Sequence, residues 1–190
     1  MYPAVSPSGH RVRLRPWRAE DREPFARMNA DVRVMEFFRA PLGRGESDAM
    51  VDRIQGHFDE HGFGLWAIEV PSKAPFVGFC GLTMARFNAA FTPCTEVGWR
   101  LAFEHWRHGY ATEAAKAVLA HGFERLDLSE IVSFTAVANA RSRAVMERLG
   151  MRHDPADDFD HPGLPLEHPF ARQVLYRLSN TQSSRQGGVQ

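Results

Sequence analysis

Glu96-Val97-Gly98-Trp99-Arg100-Leu101 reads as an apolar strand, and after a short polar gap Arg107-His108-Gly109-Tyr110-Ala111-Thr112-Glu113-Ala114 carries one glycine into an Ala-rich helix. The first turn of a helix holds backbone N–H groups that have no partner within the helix. Together with the positive end of the helix dipole they favour a bound phosphate. Gly109 sits where main chain and phosphate must approach closely, which leaves little room for a side chain. A strand feeding such a loop points to a nucleotide-like ligand with a pyrophosphate.

On either side of this stretch the patterning changes. Upstream, Arg11 to Pro16 alternates polar and apolar residues as a half-buried strand does, and Ala19 to Asn29 reads as a short helix. Asp31 to Phe38 is expected to continue as a second helical piece. Ser47 is expected to cap a helix running through Val51, Ile54 and Phe58. Leu65 to Val70 and Phe76 to Leu82, joined across Pro71 to Pro75, predict a hairpin, and Thr95 to Leu101 completes a meander. Downstream, Ala111 to Phe123 keeps helical spacing, Ile131 to Val137 is β-branched, Arg141 to Leu149 is a second helix with Gly150 as its left-handed cap, and Arg172 to Leu178 is a last strand. Strand–helix–strand order in this half predicts a parallel crossover. The Pro- and Asp-rich stretch Asp154 to Pro169 reads as a long loop, of a length that tends to serve function.

Composition narrows the function classes. At 190 residues, 44% hydrophobic and 24% charged, the chain suits one ordinary globular domain. Its zero formal charge gives no electrostatic case for nucleic acid or an acidic membrane. No apolar run approaches the roughly 18 residues needed to span a bilayer. Residues 1–9 lack the charged start and apolar core of a signal peptide and read as flexible, residues 10–179 as the domain, and residues 180–190 as a disordered tail. The chain is therefore expected to be cytoplasmic. Cys80 and Cys94 have no zinc or disulfide spacing, and His153, His161 and His168 match no ligand signature, so no metal is expected. A P-loop kinase or ligase is excluded because Gly109 is followed by Tyr110-Ala111 rather than by a phosphate-binding lysine.

The pattern Glu-x-Gly-(aromatic)-x-Leu, followed by Trp106-Arg107-His108-Gly109-Tyr110-Ala111-Thr112-Glu113-Ala114, resembles the acetyl-CoA-binding segment of the GNAT acyltransferases, and within them the RimJ/RimL ribosomal-protein N-acetyltransferase branch. Asn139-Ala140-Arg141-Ser142, then Met146-Glu147-Arg148-Leu149-Gly150-Met151, resembles the second half of that signature. The likeness runs from about Arg13 to Leu178. It implies the GNAT fold: an α/β (α+β) architecture with a mixed, mostly antiparallel sheet of about seven strands flanked by helices and splayed at the acetyl-CoA site.

The resemblance also implies a division of labour. Main chain near Trp99, Arg100 and Leu101 would bond the pantetheine amides, and N–H groups of Arg107, His108, Gly109, Tyr110, Ala111 and Thr112 would hold the pyrophosphate. Asn139 and Ser142 would face the pantetheine arm and the thioester. Two departures stand out: a glycine frequent in the RimJ/RimL-like branch is Arg107 here, and a Tyr that serves many relatives as general acid is Met146. The expected reaction is direct acetyl transfer from acetyl-CoA to a primary amine, either a protein N-terminus or a small molecule. Glu96 is the candidate base through water, and Ser142 the candidate donor to the departing thiolate. Asn139 also suits a helix cap, and Glu96 a surface ion pair. Phe37, Trp66, Phe159 and His161 are candidate walls of the acceptor pocket. The other reading is an acyl-CoA-binding or sensing module with weak or no catalysis. A monomer or a homodimer fits the sequence equally well.

Overall fold

The computed structural model describes residues 11–180. The expected flexible residues 1–9 and the tail lie outside them, apart from Asn180, whose amide donates to the Ser129 carbonyl at 2.8 Å. In chain order the elements are β1 (Arg13–Arg15), α1 (Arg22–Ala30), α2 (Arg44–His61), β2 (Leu65–Val70), β3 (Ala74–Ala85), β4 (Cys94–Leu101), α3 (Tyr110–Glu124), β5 (Glu130–Ala136), α4 (Ala140–Arg148), β6 (Arg152–His153), β7 (Phe159–Asp160) and β8 (Arg172–Ser179). The strands form one mixed, eight-stranded sheet in the order β1-β2-β3-β4-β5-β8-β6, with β7 also on β8. The strands beyond the expected set are β6 and β7, each two residues long. β7 lies within the stretch read as one long loop and pairs Phe159 with Gln173 and Asp160 with Arg172. Among the described residues no helix is long and apolar enough to cross a membrane.

The chain divides into two compact units. Of the described residues, the first comprises those from Arg11 to Thr83 together with Gly98–Val118. In it β1 pairs antiparallel with β2, and β2 antiparallel with β3, which gives the expected hairpin. Every residue of β2 is buried. Trp17, Phe25 and Phe76 meet edge-on or tilted at 4.9–6.3 Å to form much of the core. Arg15 is a buried charge that is fully matched: its guanidinium donates twice to Asp21 at 2.7 and 2.8 Å and once to Glu69 at 2.9 Å. Removing one member of such a set strands the others in a dry environment. Arg15→Met is expected to lose about 3–5 kcal/mol of unfolding free energy, read by urea denaturation.

Two expectations in this unit are corrected. Ser47 does not cap α2. Gly43 is the N-cap, and Glu46 reaches back to the Gly43 amide at 2.8 Å, the side-chain half of a capping box. Ser47 is fully buried inside the helix and accepts from Asn29 at 2.9 Å. Asp31 to Phe38 is a run of turns rather than a helical piece. Asp31 adopts an extended conformation and its carboxylate takes the Arg33 amide at 2.9 Å, a local bond that competes with helix propagation.

The second unit comprises Met84–Val97 and the described residues from Leu119 to Asn180. Here β5 and β8 pair antiparallel from Glu130↔Ser179 to Ala136↔Gln173. β4 meets β5 in parallel at the single register pair Glu96↔Val132, as the predicted crossover requires.

Candidate active site

In the first unit, β4 ends at Leu101 and a 3-10 turn, Phe103–His105, leads to the loop before α3. Trp106 anchors that loop by donating its indole N–H to the Leu101 carbonyl at 2.8 Å. Two residues then take left-handed backbone angles, Arg107 at φ 62° and Gly109 at φ 82°. The helical bonding of α3 begins with the Glu113 amide on the Gly109 carbonyl at 3.0 Å. Among the described residues the amides of Arg107, His108, Gly109, Tyr110, Ala111 and Thr112 have no acceptor. Such a nest of free N–H groups at a helix start suits an anion.

Glu113 braces the nest. Its carboxylate takes the backbone amides of Arg11 and Val12 and the Arg11 guanidinium, which in turn donates to the His108 carbonyl at 3.1 Å. Burial works against the Glu113 charge, but the Arg11 bonds and the two amides outweigh it and hold the carboxyl below its ordinary value. His108 stacks on Tyr110 with ring centres 5.4 Å apart. At the end of β4, main chain crowds main chain. A Cβ on Gly78 of β3 would lie 2.2 Å from the Arg100 carbonyl oxygen, so the strand admits only glycine there. The Ala102 amide donates to the Val77 carbonyl at 3.0 Å on that same side. Trp99 is half-buried.

Two candidate walls also lie in this unit. Phe37 is half-buried in the turn segment. Trp66, expected at an acceptor wall, is instead 1% exposed and packs edge-on against Phe58 at 5.1 Å, so its ring fills core.

The second unit holds Glu96, Asn139, Ser142, Phe159 and His161. Glu96 keeps some solvent contact as a residue, yet burial of its carboxyl pushes the pKa up to about 8. Among the described residues no ion pair or hydrogen bond offsets that burial, so the expected alternative of a surface ion pair is absent. The register Glu96↔Val132 and Phe134↔Leu175 places Glu96, Val132 and Phe134 on one face of the sheet. Phe134 meets Phe159 edge-on at 5.5 Å and His161 at 6.2 Å, with Phe87 and Phe91 completing the cluster. Burial lowers the His161 pKa, and its Nδ1 accepts the Gly163 amide at 3.0 Å, which leaves the ring neutral with its proton on Nε2.

Asn139 is the N-cap of α4 and uses its whole amide. Its oxygen accepts the Ser142 amide at 3.2 Å, and its NH₂ donates to Thr135 Oγ1 at 2.9 Å and Ser142 Oγ at 3.1 Å. Ser142 Oγ is thus held as an acceptor, and its own O–H is free to donate elsewhere. Met146 is buried and apolar. Tyr176 does not replace the missing phenol, because its hydroxyl is committed to Glu147 at 3.2 Å.

A sheet strand that feeds an amide nest at a helix start suits a pyrophosphate-bearing group donor. The acetyltransferase (GNAT) domain matches residues 11–152, and this chain belongs to that family of N-acetyltransferases. It is 32% identical over 190 aligned residues to the FsC-acetyl coenzyme A-N(2)-transacetylase of Aspergillus fumigatus, covering 91% of this chain and 77% of that protein. Among solved structures it is similar to an acetyltransferase from Agrobacterium tumefaciens (26% identity, TM-score 0.75, 95% of this chain and 96% of the other). It also shares the fold of RimL, a ribosomal alpha-N-protein acetyltransferase solved in complex with coenzyme A (14% identity, TM-score 0.71, 93% and 98%).

Proposed function

We propose that this chain transfers the acetyl group of acetyl-CoA directly to a primary amine, carried by a protein N-terminus or by a small molecule. The run of unpaired amides from Arg107 to Thr112 carries the reading, because a pyrophosphate is the group it fits. Main chain of β4 from Trp99 to Leu101 offers an edge to the pantetheine amides. Glu96 in its ionised form takes a proton from the amine through water, the amine attacks the thioester carbonyl, and the thiolate leaves with a proton from the free O–H of Ser142. A hydroxyl is a weak acid, so Ser142→Ala is expected to lower kcat by roughly 10–100-fold, the modest end of general-acid effects, with acetyl-CoA KM moving less. Steady-state kinetics at fixed acceptor checks this.

The buried Met146, where many relatives carry a Tyr, supports a second reading in which the chain binds acyl-CoA without turning it over. One experiment separates the two: release of free CoA thiol from acetyl-CoA with a panel of amines that includes peptides beginning with Ala or Ser. Turnover with any of them establishes the transferase. Saturable acetyl-CoA binding by calorimetry with no thiol release across the panel overturns it in favour of the sensor.

A further inference from the structure

The Arg100 side chain plays no part in the reaction above, which draws only on its main chain. The residue is half-buried overall, but its guanidinium is enclosed between two rings, Phe38 at 4.1 Å and Phe79 at 5.4 Å from the respective centroids. One arm is fixed: Nη1 donates to Asn29 Oδ1 at 2.7 Å. Asn29 is itself fully buried and held by its bond to the equally buried Ser47. The Nε atom is sealed from solvent and has no acceptor. Among the described residues no carboxylate pairs with Arg100, and desolvation without a counter-charge draws its pKa down to about 10. Arg15, in the same unit, is the contrasting case, with Asp21 and Glu69 supplying both charge and acceptors. A buried cation with one edge unbonded costs free energy unless something fills that edge.

We propose that Arg100, held by Asn29 between Phe38 and Phe79, is a carboxylate-binding subsite that selects acceptors bearing an anionic group near the amine. The free edge of a guanidinium presents two parallel donors, a planar fork that matches a carboxylate. Phe38 is 43% exposed and lies in the turn segment after α1, so it is the cover that an entering anion displaces. Alternation along β4 turns Arg100 away from the face of its neighbour Leu101, which is buried. The phosphates of CoA have the amide nest, which assigns this anion to the acceptor rather than to CoA. This assignment rests on the acetyltransferase reading. The carboxylate belongs either to an amino-acid-like small amine or to an acidic side chain beside a peptide N-terminus.

Matched probes test it: free amino acids against their carboxamides, and short peptides with Asp or Glu at the second position against Asn or Gln, scored by kcat/KM for thiol release and by melting temperature. The wild type is expected to favour the acids by about 10–100-fold. Preference in the first set alone identifies a small amine, and in the second alone a peptide. Arg100→Gln is expected to bring the ratio toward one by raising KM for the acids. Asn29→Asp sets a carboxylate against the guanidinium from within, and is expected to remove the preference while raising the melting temperature. A wild type that treats acids and neutral partners alike, or a preference that survives both substitutions, overturns the subsite. If no amine is acetylated the transferase reading fails by itself. A rise in melting temperature with acids alone, lost in both variants, then still supports the subsite, and no rise overturns it.

Discussion

Gly109→Asp is expected to abolish measurable acetyl-CoA binding. Three effects act together at this position. The residue sits at φ 82°, where any side chain is strained. A Cβ there would come within 3.4 Å of the Arg11 guanidinium that braces the loop. An aspartate would place a negative charge among the amides proposed to hold the pyrophosphate, and a like charge set against the ligand costs several kcal/mol. The loss is therefore at least 100-fold in Kd, read by titration calorimetry with acetyl-CoA, and circular dichroism checks that the variant folds. Unchanged affinity in a folded variant removes the pyrophosphate from this loop. Arg107→Gly tests the same loop with the opposite sign for stability. Arg107 holds a left-handed φ of 62°, so glycine should relieve about 1 kcal/mol of backbone strain in thermal melts.

The same loop shows what could be read in advance. Gly109 and the Ala-rich start of α3 were legible because their signals are local: one glycine at a turn and apolar residues at helical spacing. The hairpin of β2 and β3 was legible for the same reason. Signals that depend on distant partners were not. Ser47 looks like a cap by residue type, yet Asn29, 18 positions away in sequence, claims its hydroxyl, and the cap is formed by Gly43 with Glu46. β7 is two residues long, too short for any period, and exists only because Gln173 and Arg172 pair with it. Trp66 has the residue type of a pocket wall, and only the packing of Phe58 against it reveals core. The unmatched guanidinium of Arg100 is invisible in sequence because a missing partner leaves no pattern. The roles proposed for Asn139 and Ser142 rest on family likeness, while the cap that leaves the serine O–H free is a feature of geometry.

Glu96→Gln should change both the pH dependence of turnover and that of stability, in linked ways. With a pKa of about 8 the carboxyl is mostly protonated at pH 7, so a base of this kind gains activity as pH rises and levels off above 8. The acceptor amine also loses its proton in this range, at roughly 8 for an α-amine. That titration is common to both proteins and cancels in the ratio of wild-type to variant kcat/KM. The ratio is therefore expected to climb between pH 6 and 8 and then flatten, by about 10²-fold or more at the plateau. Stability moves the other way. The folded pKa lies above the unfolded value of about 4.3, so the contribution of the protonated carboxyl is fully present below that value and is lost as pH rises to 8. Glutamine cannot ionise, and the variant should gain on the wild type across that window by on the order of 3 kcal/mol, less than the whole shift implies because the residue keeps some solvent contact. Denaturation at pH 5 and pH 8.5 measures it without reference to any acceptor. A flat kinetic ratio together with a pH-dependent stability gain would leave Glu96 a buried acid with no part in proton transfer. A flat result in both would mean that its carboxyl titrates as an ordinary surface group.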